Sequence, residues 1–506
     1  MSETEVIYPA ASTPDINHIS NGVSNGVSNH ERAVPQLPRE IRAVRDANAY
    51  KHHGRNIIVC LDGTGDKFDS DNSNIVHFVS CLKKSDPSQS IYYQSGIGTY
   101  DGGGLSNGIN AGLDMAVGSG LGVHIRDAYK YLMQTFKEGD KISLFGFSRG
   151  AYTARCLAGM VHKVGLLPAH NSAQVPFAYE YYKDDSDEGW KMSADFKKTF
   201  CVTVSIHFIG VFDSVGSIGF IPRKLPLSST PTCRASHFRH AMALDERRAK
   251  FKVSRYRQRD YTGWKVLAED NEKDFEQDAR TDVLEVWFAG CHADVGGGAV
   301  KNEVRHKLSQ IPLRWMIRQC FDCDTGIIFK APRLAEEGLD VHTLWPQYSQ
   351  LPKPSGAPPH KDLLERKANG GLGAIIRRAS VLEPVKHDEP MGMHHVKLYE
   401  DHEKRKLSSD WIPEQVEDYF DSMEKINDQL VDAKGWWVLE LWPVKVRLQP
   451  KNSDGWIKKV RCNMGRYRVC QEHDPKVHWT VQQRIEEKIG VNKIRADRRS
   501  VWEVVV

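Results

Sequence analysis

The sequence has no apolar run near the ~18 residues that a membrane-crossing helix requires. Its first twenty residues, Met1 to Ser20, lack a basic stretch followed by an apolar one, so no secretory signal is expected. Neither sign of charge dominates. Lys+Arg number 69 against 65 Asp+Glu, a formal net charge of +4. A protein that grips phosphates along a nucleic acid carries a clear basic excess, so nucleic acid is not an expected partner. Cysteine is sparse, at 10 in 506 residues. Without a secretory leader such cysteines read as reduced thiols, and the expected location is cytoplasmic.

Several binding signatures are also missing. The glycines from Gly102 to Gly122 are not followed by Gly-Lys-Ser/Thr, which excludes a Walker loop. Asp69-Ser70-Asp71-Asn72-Ser73 begins like a calcium loop, but lacks the glycine and glutamate that would complete one. Cys320-Phe321-Asp322-Cys323 is a lone C-x-x-C pair with no second pair at zinc-finger spacing. No metal and no cofactor are expected.

What is present suits a folded globular protein. Hydrophobic residues make up 40% of the chain and charged residues 26%, enough for a core without metals or disulfides. Residues 1–50 are rich in Asn, Ser, Pro and Gly, with the repeat NGVSNGVSN at Asn21 to Asn29, and are expected to form a disordered tail. Residues 51–307 are expected to form one α/β domain. Short apolar runs at Asn56–Leu61, Ile142–Phe145, Val202–Phe212 and Val283–Phe288 read as buried parallel strands. Helical patterns fall between them, at about 122–137 and 149–164. Residues 308–506, with the Pro/Gly-rich stretch Leu351–Pro359, the turn Gly370–Gly373 and the Trp-rich run Gly435–Trp442, are expected to form a mixed or mostly helical subdomain packed on the sheet. The aromatic segment Pro168–Phe200 fits either a cap or ordinary packing.

Chemistry-bearing residues stand at the strand ends, where parallel sheets place their sites. Gly146-Phe147-Ser148-Arg149-Gly150 is a G-x-S-x-G motif between a buried strand and a helix. A serine on such a sharp turn projects its hydroxyl above the sheet, and the flanking Gly146 and Gly150 let strand and helix approach. This context points to an α/β-hydrolase-like, mostly parallel sheet flanked by helices, with Ser148 as nucleophile. A serine nucleophile needs a base and an orienting acid, in the chain order Ser, acid, His. Asp213, after one strand, and His292, after another, meet that order; Asp294 competes for the acid role but is better placed to support the His292 loop. Oxyanion donors are expected from the backbone N–H of Arg149 and from Gly63 or Thr64 in the turn Asp62-Gly63-Thr64-Gly65.

Taken together, Leu61–Gly65, Phe145–Arg155, Gly210–Gly216 and Trp287–Gly298 resemble the catalytic domain of type VI secretion phospholipase effectors, with their bacterial and fungal relatives. The region Gly465-Arg466-Tyr467-Arg468 is similar to the fungal relatives. The resemblance implies an α/β-hydrolase fold, a Ser148–Asp213–His292 triad and an esterase acting on phospholipid acyl chains. The expected partner is a lipid or small ester, with peripheral membrane contact left open. Hydrolysis of a thioester or small metabolite ester, and a non-catalytic lipid-binding protein, stay as alternatives.

Overall fold

The computed structural model describes residues 37–51, 54–96, 111–216, 235–256, 281–354, 411–448, 457–470, 474–489, 495 and 501–506. The Asn21–Asn29 repeat, the glycines from 97 to 110 and Gly370–Gly373 lie outside them.

The strands run β1 (Glu40–Arg42), β2 (Asn56–Leu61), β3 (Gln89–Gln94), β4 (Lys141–Phe147), β5 (Ile206–Phe212), β6 (Ala235–Ala243), β7 (Asp282–Phe288), β8 (Ile328–Lys330), β9 (Pro443–Leu448), β10 (Ile457–Cys462), β11 (Lys476–His478) and β12 (Glu503–Val505). The helices are α1 (Asn74–Cys81), α2 (Ala111–Thr135), α3 (Ser148–Val164), α4 (Val175–Lys183), α5 (Asp187–Phe200), α6 (His292–Gly296), α7 (Gln310–Asp322), α8 (Ala331–Glu336), α9 (Pro413–Ser422), α10 (Gln429–Asp432), α11 (Trp437–Glu440) and α12 (Trp479–Glu486).

Eight strands form the central sheet in the order β12-β11-β7-β6-β5-β4-β2-β3, every neighbouring pair parallel. Parallel strands need crossovers, and the helices supplying them cover both faces. Alternate residues of one strand therefore serve two cores. Ile58 and Cys60 face the cluster built with α1 and α7, while Ile57, Val59 and Leu61 face the one built with α2, α3 and α4. Helix α3 is apolar nearly all round; Arg149 and His162 alone escape burial. The segment after it resolves as packing: Tyr179, Tyr182 and Phe196 lie in the α3-side core.

Strand β6 is absent from the sequence expectation. Its Ala-Ser-His-Phe-Arg-His-Ala-Met-Ala run does not look apolar, yet it is central. Its buried polar groups are paired: the Arg239 guanidinium bonds Asp282 (2.6 Å) and Gln319 (2.6 Å), and His240 Nδ1 lies 2.9 Å from Glu285. Paired polar groups can be buried where lone ones cannot.

The chain's outer parts also differ from expectation. Residues 40–42, placed in the tail by composition, form β1 and pair with β8. The C-terminal region does more than pack on the sheet, since β11 pairs with β7 and adds two strands. The exposed edge of β7 has ladder groups to satisfy, and these strands satisfy them. Helix α9 is locked to α7 by buried ion pairs, Arg318 to Glu414 (2.6 Å) and Arg314 to Asp418 and Asp421. Residues 36–506 accordingly form one compact unit. No helix among the described residues is long and apolar enough to cross a membrane, and no disulfide joins the described cysteines.

Candidate active site

The turn from β4 into α3 holds Ser148 at φ 57°, a left-handed conformation uncommon for a side-chain-bearing residue. Neighbouring backbone leaves no room beside it. A Cβ on Gly150 would lie 2.2 Å from the Leu61 carbonyl oxygen, and one on Gly146 would lie 2.6 Å from the Ala151 nitrogen. Strand β5 is followed by a second left-handed residue, Asp213 at φ 38°. Such conformations persist where packing over-determines them, and they cluster at functional sites.

Three of the expected residues meet. The Ser148 Oγ is 2.8 Å from His292 Nε2, and His292 Nδ1 is 2.5 Å from Asp213 Oδ2. All three residues are buried. With Nδ1 donating to the carboxylate, Nε2 of a neutral imidazole is left to accept from the Ser148 hydroxyl. The imidazole lies between the rings of Phe147 (4.8 Å between centroids) and Phe251 (4.9 Å). Burial lowers its pKa below the ordinary histidine value, and the bond it donates to Asp213 opposes that.

Asp294 does not reach the imidazole. Its Oδ2 accepts from the backbone N–H of Cys291 (2.8 Å) and Asn427 (3.0 Å), and its Oδ1 from Asn427 Nδ2 (2.6 Å), which shapes the turn carrying His292. Burial raises its pKa to about 6. Asp62 works in the same manner at β2, accepting from the Gly63 N–H (2.8 Å) and the Tyr93 hydroxyl (2.8 Å). That bond engages the Gly63 N–H, one of the two oxyanion donors expected from this turn. The turn's other candidate is Thr64, whose buried hydroxyl has no hydrogen-bond partner. Arg149 is the second residue of α3, at the helix N-terminus where partial positive charge gathers.

Sequence reasoning missed two supports. Glu246, after β6, accepts from the His292 backbone N–H (3.2 Å) and from Arg248 (2.9 and 3.0 Å), and Arg248 lies over the Phe251 ring at 3.5 Å. Burial works to raise the Glu246 pKa, but Arg248 holds it down at about 2. Arg468 comes from far along the chain. Its guanidinium bonds both oxygens of Asp213 (2.6 and 2.9 Å) and the carbonyls of Ala243 (2.9 Å) and Phe251. Gly465–Arg468 stood out in the sequence only by resemblance, since nothing in spacing links an arginine to an acid 255 residues away.

The residues set aside as metal ligands behave otherwise. Asp69 and Asn72 bond each other's neighbourhood, Asp69 N–H to Asn72 Oδ1 (3.0 Å) and Asp71 N–H to Asp69 Oδ1 (3.1 Å). Among the described residues, His237, Asp282 and Cys323 come close enough to share an ion. The Arg239 guanidinium bonds both Asp282 (2.6 Å) and Cys323 Sγ (3.0 Å), so a cation already fills that space.

Comparison with known proteins places the chain among relatives. The chain is 25% identical to the uncharacterized protein YEL023C of Saccharomyces cerevisiae, over 87% of this chain and 80% of that one. Among solved structures it is similar to an uncharacterized protein from Pseudomonas aeruginosa (14% identity, TM-score 0.31, 75% of this chain and 63% of that one). It is also similar to a Tle1 effector solved bound to the VgrG spike of the type 6 secretion system (18% identity, TM-score 0.26, 50% of this chain and 52% of that one). It thus spans less than two thirds of either solved chain. Residues 55–319 match the family model described as T6SS, phospholipase effector Tle1-like, catalytic domain, and the chain belongs to that family.

Proposed function

We propose that the protein is a serine hydrolase that cleaves carboxylic esters of lipids, phospholipids foremost, through an acyl-enzyme on Ser148. The observation that carries this reading is the continuous chain Ser148 Oγ–His292 Nε2 (2.8 Å) and His292 Nδ1–Asp213 Oδ2 (2.5 Å). The hydroxyl attacks the acyl carbonyl as its proton passes to His292. Asp213 holds the imidazole in the useful tautomer and stabilises the imidazolium. The backbone N–H groups of Arg149 and Thr64 face the oxyanion. His292 then hands its proton to the departing alcohol, and water, activated by the same imidazole, releases the acid. The phospholipase description of the family supports the lipid substrate.

The surface supports peripheral contact with an anionic membrane. Val438, Leu441, Trp442 and Val460 are each more than half exposed, and Lys434, Lys445, Lys458 and Lys459 are exposed beside them in sequence. Trp436, at the start of this stretch, meets Phe251 edge-on at 5.6 Å, and Phe251 touches His292. We propose the cytoplasm as the place of this activity.

A fluorophosphonate probe should label Ser148, and Ser148→Ala should remove both labelling and ester hydrolysis. Phospholipids, short-chain esters and acyl-CoA tested side by side should favour phospholipids. Preference for acyl-CoA or short esters would move the assignment to the metabolite-ester alternative. Vesicle binding without turnover of any ester would make the protein a lipid-binding relative.

A further inference from the structure

We propose that Arg468 is a fourth, positioning member of the site: from outside the family-matched segment it fixes the carboxylate of Asp213 and offsets its charge, and so sets the pH at which His292 works as a base. This rests on the hydrolase reading above. Residues 55–319 contain Ser148, Asp213 and His292 but not the cation that balances them.

The geometry is that of a planar fork on a carboxylate. One guanidinium nitrogen meets each Asp213 oxygen (2.6 and 2.9 Å), and the remaining donors reach the Ala243 and Phe251 carbonyls. The Arg468 side chain is 8% exposed and that of Asp213 0%. Asp213 Oδ1 also accepts from the Ala243 backbone N–H (2.9 Å). Its two oxygens are therefore held in one plane, with Oδ2 aimed at His292. Because Arg468 also bonds the Phe251 carbonyl, the ring packed on the imidazole is fixed by the same side chain.

The charge argument is separate. A buried carboxylate with no cation nearby draws a proton onto itself or onto the imidazole bonded to it. Among the described residues, the other titratable groups beside the pair are Glu246 and Arg248, which bond one another, and His240, which burial keeps toward neutral and which is bonded to Glu285. Among the described residues, the ion pair to Asp213 other than that of His292 comes from Arg468. Burial works to raise the Asp213 pKa, yet the Arg468 charge holds it far below the ordinary carboxylate range. Without Arg468 the Asp213–His292 pair takes up its proton at higher pH, whichever of the two carries it.

The test compares Arg468→Gln and Arg468→Lys with wild type by the pH profile of kcat/KM on one ester. In parallel, the His292 imidazole is titrated by NMR, its signal assigned by its loss in His292→Asn. Arg468→Gln should lower kcat by about 10–100-fold and move the acid limb and the imidazole titration up by roughly one pH unit. Arg468→Lys keeps the charge and loses the fork, so its acid limb should stay near wild type while kcat falls. An unmoved acid limb in folded Arg468→Gln overturns the charge role, and wild-type kcat in Arg468→Lys overturns the positioning role. An inactive wild-type protein would end the hydrolase reading instead, and the imidazole titration would still decide whether Arg468 acts on His292.

Discussion

Gly150 and Leu61 touch backbone to backbone: a Cβ added to Gly150 would stand 2.2 Å from the Leu61 carbonyl oxygen and 2.3 Å from that of Asp62. Helix α3 therefore starts where it does only because residue 150 has no side chain. Gly150→Ala must push α3 away from β2, at a cost on the order of 3 kcal/mol. It should also lose fluorophosphonate labelling in whatever fraction stays folded. A thermal midpoint and labelling both at wild-type level would show that the turn yields without consequence.

Ser148 at φ 57° carries strain that glycine would not. Ser148→Ala and Ser148→Gly should both be inactive, but the glycine variant should be the more stable, by up to about 1 kcal/mol. Denaturation of the two side by side isolates the backbone effect, because both lack the hydroxyl. Greater stability of the alanine variant would count against a strained turn.

Burial lowers the His292 pKa, so the neutral base persists below the ordinary imidazole value of 6.5. The acid limb of kcat/KM should accordingly lie below that pH. The same shift has a stability sign. A histidine with a depressed folded pKa contributes stability that is present above its unfolded pKa and is lost as pH falls through the folded one. Stability against pH should therefore drop less steeply on the acid side in His292→Asn than in wild type, when read from denaturant midpoints.

Arg314 is the cation between Asp418 and Asp421, and all three side chains are buried. Replacing it by leucine strands the Asp418 carboxylate and leaves Asp421 with His306 and the Lys307 N–H, and should cost about 3–5 kcal/mol at pH 8. Burial already raises Asp418 to about 7. With the cation gone the Asp418 pKa rises further above its unfolded value and that of Asp421, which Arg314 and His306 hold below the ordinary carboxylate value, rises too, so the folded state gains by binding protons and the deficit should shrink at pH 5.5. Midpoints of Arg314→Leu and wild type at the two pH values decide it; a deficit that stays constant would rule out stranded charge as its cause.

The apolar surface offers a test that leaves the chemistry alone. Substituting Val438, Leu441 and Trp442 together by serine should reduce sedimentation with anionic vesicles by roughly tenfold or more. Hydrolysis of a water-soluble ester should be unchanged. Unaltered vesicle binding would place any membrane contact elsewhere.

Legibility in the sequence followed locality. Strand β2 is legible at its observed bounds, β4 and β7 close to theirs, and β5 at its C-terminal end though expected from Val202 and observed from Ile206, because a parallel strand buried on both faces is an apolar run. Strand β6 was not legible: its Arg239 and His240 are acceptable in a sheet only because Asp282, Gln319 and Glu285 come to meet them. Strands β11 and β12 are three residues each, too short to show a period.

The sequence by itself determined the parallel sheet, the turn at Ser148, and the order in which Asp213 and His292 follow it, since strand, turn and helix are each local consequences of residue type. The tertiary structure alone decided which carboxylate reaches the imidazole, Asp213 and not Asp294, and that the Gly63 N–H bonds Asp62. It alone brought Arg468 onto Asp213, because the bond between them depends on how β6, the loop holding Phe251 and the chain beyond β10 pack, and not on any spacing along the chain.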